Sequence, residues 1–275
     1  MALRVLRSSA TEPNPDVVPL ERTTPRESNT SWLRRALADQ HVSTGPEWSL
    51  LLLMGGADPL SFRLRVAQSH VRHDLSPSAW SHVAFLPAVY DSLTKTPAIE
   101  VSLAPAASFG EFGFPLPFNG LQESTLERYL DSALVPNLAL LSVPVPSAEI
   151  VESLNVLRWQ RSTFDVPQMI LRWLAYCWGV GVPASPLAEG LGVPSAAVLE
   201  AAFAMRHFDL TPGLESRSSC PEAIWQAASW WHGFYKQRVE GGRAISGVFC
   251  ARHELVPDGF FGGSPAGRTA EEKPS

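Results

Sequence analysis

The chain has 275 residues, enough for one large domain or two small ones, and its 45% hydrophobic and 9% aromatic content is that of a protein with a packed core. A formal charge of −5 with no basic run excludes nucleic acid as the main partner. Three cysteines without CxxC spacing, Cys177, Cys220 and Cys250, support neither a disulfide framework nor a zinc site and fit a reducing, cytoplasmic setting.

In chain order, residues 1–29 carry four prolines among polar residues and no continuous apolar stretch of a secretory signal, so they read as a flexible lead-in. Within it, Leu3–Leu6 is at most an edge strand. Residues 31–41 predict a short helix capped by Ser31 or Thr30. The longest apolar run, Leu50–Met54, is too short to span a bilayer; with Trp48 and Ser49 it predicts a buried strand. Phe62–Ala67 alternates apolar and polar residues and predicts a half-exposed strand. Ser81–Leu86, Ala98–Leu103 and Leu138–Val143 predict three more strands, and Ile245–Cys250 a last one. Residues 104–120 are rich in Gly, Pro and Phe, without periodicity, and read as a long loop. The second half is helical: one helix opened by Asp165 and Pro167 and ended near Gly179, one opened by Pro194, and one running from Pro221 to about Arg238. Strands first and helices later predict an α+β fold. A single domain spans residues 30–257, and residues 258–275 form a disordered tail.

The third helix carries the most distinctive local signal. Proline is favoured at the first helical position, so Pro221 places Cys220 at the N-cap, and Glu222 falls in the first turn, where a carboxylate suits the helix dipole. A thiol at a helix N-terminus is biased toward the thiolate. A free cysteine is also often a small buried residue, so the motif needs partners. Among seven histidines, His82 stands out because it begins an otherwise apolar strand. If strands 81–86 and 98–103 pair antiparallel with residue sums of 182 or 184, His82, Ala84 and Leu86 share a face with Ala98, Glu100 and Ser102. Glu100 then lies diagonal to His82, or one pair further along. Taken alone, Glu100 reads as a solvated strand residue.

A histidine strand (Ser81-His82-Val83-Ala84-Phe85), a strand with an acid (Ile99-Glu100-Val101) and a cysteine at a helix start (Cys220-Pro221-Glu222), in that order, resemble the circularly permuted papain-like cysteine hydrolases. The match is to the permuted NlpC-like group that includes the YiiX-type amidases and lecithin retinol acyltransferase. Three short pieces carry it; proline replaces the usual residue after the cysteine, and the insert from Ala104 to Thr163 is long. The resemblance implies an antiparallel sheet with helices packed on one face. It makes Cys220 the nucleophile, His82 its base and later the acid for the leaving group, and Glu100 the residue that fixes the imidazole tautomer. The Cys220 backbone N–H would supply half of an oxyanion hole, with Ser81, Ser219 and Gln160 as candidates for the rest. The reaction would be attack on an amide, ester or thioester of a peptide, protein or acyl-amide substrate, through an acyl-enzyme and with no metal or cofactor. The alternative is a catalytically inactive papain-like module that binds a protein partner through loop 104–120, where Phe109, Phe112, Phe114 and Phe118 need some cover.

Overall fold

The two most apolar runs of the chain form the middle of the fold. In the computed structural model, which describes residues 16–103, 120–159, 165–181, 184–230 and 244–251, they are strands β2 (Ser49–Gly55) and β6 (Asn137–Val143), antiparallel to each other and buried along their whole length. Five further strands complete one sheet: β1 (Val17–Pro19), β3 (His82–Leu86), β4 (Pro97–Glu100), β5 (Gln122–Thr125) and β7 (Ser246–Cys250), in the order β1-β7-β6-β2-β3-β4-β5. Every pairing is antiparallel except β1 on β7, so the sheet is mixed rather than purely antiparallel.

Both faces are covered, which explains why β2 and β6 are continuous apolar runs instead of alternating ones. On one face Leu51, Leu53, Val83, Phe85, Ala139 and Leu141 pack under five helices: α2 (Pro59–Ala67), α3 (Ser147–Trp159), α4 (Val166–Trp178), α5 (Pro194–Ala204) and α6 (Pro221–Trp230). On the other, Leu50, Leu52, Met54, Ala84, Leu86, Leu138 and Leu140 pack with Trp32, Leu33 and Ala36 of α1 (Asn29–Leu37). The expected α+β class holds; the expectation of helices on one face alone does not.

Four local expectations are corrected. Phe62–Ala67 lies in α2 rather than in a strand: Asp58 caps the helix, its Oδ1 accepting the Ser61 N–H at 3.0 Å, and Pro59 sits in its first turn. Residues 16–29 belong to the fold through β1 and through Arg22, which donates to Asn29 and to the Glu27 and Pro136 carbonyls. The cap of α1 is Ser28, two residues before Thr30 and three before Ser31. The long insert contains β5 and α3. The remaining segments, including Leu3–Leu6, the tail from 258 and loop residues 104–119, lie outside the described residues. No helix among the described residues is long and apolar enough to cross a membrane.

Candidate functional site

The β3–β4 hairpin has the register that brings His82 and Glu100 together. Phe85 pairs with Ile99, a residue sum of 184, so His82 and Glu100 lie diagonally on the face shared by Ala84 and Ala98. Glu100 Oε2 accepts from His82 Nε2 at 2.7 Å and also from the Tyr129 hydroxyl. Its Oε1 accepts from Ser124 Oγ at 2.7 Å and Arg128 Nη1 at 3.0 Å. Ser124 comes from β5, and Arg128 and Tyr129 from the short 3-10 turn that follows it. Burial alone would raise the Glu100 carboxyl, but hydrogen bonding and charge from His82, then Tyr129 and Ser124, outweigh it and hold the group down to about 2. The carboxylate is therefore charged at any ordinary pH. Burial and the neighbouring Glu100 charge push the Tyr129 phenol far above its usual range, so it stays a donor. Because the ionised Glu100 carboxylate can only accept, His82 Nε2 is the donor in this contact, and Nδ1 is the ring nitrogen not engaged by Glu100.

Cys220 occupies the predicted place on its helix and a different place in the molecule. Its carbonyl accepts the Ile224 N–H at 3.1 Å, and its sulfur the N–H groups of Ala223 and Glu222, as an N-cap does. The residue is 1% exposed, and burial, against those N–H groups, pushes the thiol up to about 12. It packs in the cluster containing Val83 and Phe85, whereas His82 alternates with Val83 and faces the opposite side of the sheet. The structure thus joins His82 to Glu100 and leaves Cys220 across the sheet from both. The reason is tertiary: the face covered by α6 is not encoded in its own periodicity.

The rest of the motif has a structural explanation. Glu222, also 1% exposed, accepts from Arg72 Nη1 at 3.0 Å, Ser78 Oγ at 2.6 Å and Gln226 Nε2 at 3.1 Å. Its N–H donates to Gln68 Oε1 at 2.9 Å, and Gln68 Nε2 donates to the Trp80 carbonyl at 2.8 Å. The start of α6 is thereby strapped to the connection between α2 and β3. Trp225, one turn on, packs against Trp80 with ring centroids 5.1 Å apart.

Of the oxyanion candidates, Ser81 is buried and already engaged, donating to the Met54 carbonyl and accepting the Gly56 N–H. Ser219 is buried with its hydroxyl unpartnered among the described residues, beside Cys220 and not beside His82. Gln160 lies outside the described residues. Tyr129, Arg128 and Ser124, which lock Glu100, were missed by sequence reasoning; β5 was the signal that would have found them. A cavity of about 420 Å³ is lined by Trp48, Leu50, Leu86, Pro87 and Val89, at the end of β3 away from His82. Among the described residues no group of three or more His, Cys, Asp or Glu side chains is placed to hold a metal ion. No protein-family model, curated protein or solved structure matches the chain.

Proposed function

We propose that this chain is a protein-interaction module of papain-like type that does not use Cys220 as a nucleophile. The observation that carries the reading is the position of Cys220: a thiol sealed in the core on the face of the sheet opposite His82, where burial raises it. A thiol hydrolase needs thiolate within hydrogen-bond reach of its base. Large apolar side chains left in solvent support a partner-binding role, among them Leu171 and Trp178 on α4 and Val180 just after it. A second reading, a hydrolase acting through an acyl-enzyme, is favoured by one observation, the locked His82–Glu100 pair.

Iodoacetamide labelling of the folded chain at neutral pH separates them. All three cysteines are buried, and burial raises each thiol, Cys177 to about 11. None should label until the chain is unfolded in urea. Rapid labelling of Cys220 alone, slowed by His82→Ala, would overturn the proposal and establish the hydrolase.

A further inference from the structure

Helix α4 is apolar on two sides. Val166, Met169, Trp173 and Cys177 face the core, and Trp173 Nε1, donating to the Gly192 carbonyl at 2.7 Å, fixes the rotation of the helix. That rotation turns a second stripe away from the core: Pro167, Leu171, Leu174 and Trp178. Leu174 is partly buried, Leu171 and Trp178 are 67% and 73% exposed, and Val180, 67% exposed, follows the stripe. Gly179, at φ 67°, ends the helix, and the Val180 N–H donates to the Ala175 carbonyl at 2.9 Å, which holds Val180 against the last turn. The helix has one charged side chain, Arg172, and Glu189 neutralises it at 3.0 Å. A helix whose one side faces water carries charge there, whereas a helix that is apolar all round is a covered one.

The stripe also specifies its cover. Spacings of four, three and four residues from Pro167 to Trp178 are those of a heptad seam, which another helix fills. The sizes along it complement their own reverse, small at the start and large at the end. Laid antiparallel on a second copy with a residue sum of 345, Trp178 meets Pro167 and Leu171 meets Leu174, identically on both sides of the axis. A parallel pair would stack Trp178 on Trp178 and leave a gap between the prolines. A helix of a different protein would select this seam through flanking charges, and Arg172, already paired, is all that α4 offers it.

We propose that α4 joins two copies of this chain, antiparallel, about a two-fold axis between Leu171 and Leu174. The proposal rests on the interaction-module reading and names the partner of that surface. Three large exposed side chains from each copy bury less than the roughly 1,200 Å² of a standard specific interface, so the dimer dissociates at micromolar concentration or above.

Sedimentation velocity of the full chain from about 1 μM to about 1 mM, a range that brackets such an affinity, tests this. The parent should pass from monomer to dimer, and Trp178→Lys should weaken association at least about tenfold. Only an antiparallel pair brings the lysine of Trp178→Lys to the glutamate of Pro167→Glu. A fluorescently labelled Trp178→Lys chain should therefore bind Pro167→Glu several-fold more tightly than it binds itself. A parent that is monomeric throughout overturns the proposal, as does a Trp178→Lys chain that associates as the parent does, or a mixture no tighter than Trp178→Lys alone. The iodoacetamide test is independent of this one: cysteines that stay unlabelled in a monomeric parent keep the module and remove only the second copy as its partner.

Discussion

Replacing Glu222 separates two explanations of the cysteine motif by magnitude. A glutamate in the first turn of an exposed helix is worth about 0.3–1 kcal/mol through the dipole. In the folded chain the same carboxylate is buried and accepts from Arg72, Ser78 and Gln226, and its removal strands an arginine that is 13% exposed. Breaking a buried, hydrogen-bonded ion pair by deleting one partner costs about 3–5 kcal/mol. Asp74 also holds Arg72, at 2.9 Å, which places the expected loss for Glu222→Ala near about 3 kcal/mol. Glu222→Gln keeps the shape and some of the hydrogen bonds and should lose about 1.5–3 kcal/mol. Urea denaturation, with the m-value checked for constancy, reads both. A double-mutant cycle with Arg72→Met should return a coupling above about 0.5 kcal/mol. A loss under about 1 kcal/mol for Glu222→Ala, with no coupling to Arg72, would refute the strap and return Glu222 to an ordinary dipole role.

Two further substitutions test the architecture of the sites. Glu100 has a folded-state pKa of about 2, lowered from 4.5, so its contribution is fully present above pH 4.5 and is lost as the pH falls toward 2. The difference corresponds to about 3 kcal/mol, and Glu100→Gln should flatten that part of the acid-denaturation curve; an unchanged acid limb would count against the locked pair. Gly192 approaches the backbone of Ser218 and Ser219 so closely that an added Cβ would meet the Ser219 carbonyl oxygen, while its own N–H donates to the Arg217 carbonyl at 2.7 Å. Gly192→Ala should therefore cost at least the upper end of the range of about 1–3 kcal/mol for overpacking, read as a fall in Tm, and a neutral result would mean that this crossing is looser than described.

The legible parts of the fold are those in which one residue pattern has one physical solution. Leu50–Met54 and Leu138–Val143 are continuous apolar runs that fit strands buried on both faces, and the alternation of His82–Leu86 against Ala98–Glu100 gave the shared face and left two registers, of which the structure takes the sum of 184. Phe62–Ala67 failed because Phe-Arg-Leu-Arg-Val-Ala alternates like a strand while Asp58-Pro59 starts a helix; the cap and the burial of Leu64 and Ala67 prevailed. In α3, Ile150, Leu154 and Leu157 carry a helical stripe that sits within a long insert. Half of the candidate site was visible for the same reason: His82 and Glu100 are eighteen residues apart in one hairpin. Contacts such as Arg72 with Glu222, 150 residues apart, leave no periodic trace. Nor does the choice of face for α6, and on that choice the cysteine expectation rested.

The separation of Cys220 from His82 is firm because of what would have to move. Side chains alternate along a strand, so a one-residue slip of β3 would carry His82 to the helix face. The same slip would take Val83 and Phe85, both fully buried under the helices, out of their cluster and break a ladder of five residue pairs with β2. It would also strip Glu100 of the His82 bond that helps keep it charged in a buried place. Moving α6 instead would sever the Glu222 strap and the Trp80–Trp225 contact together. Each route sacrifices several buried interactions to form one thiol–imidazole hydrogen bond, worth about 1 kcal/mol net. The balance holds the two groups apart.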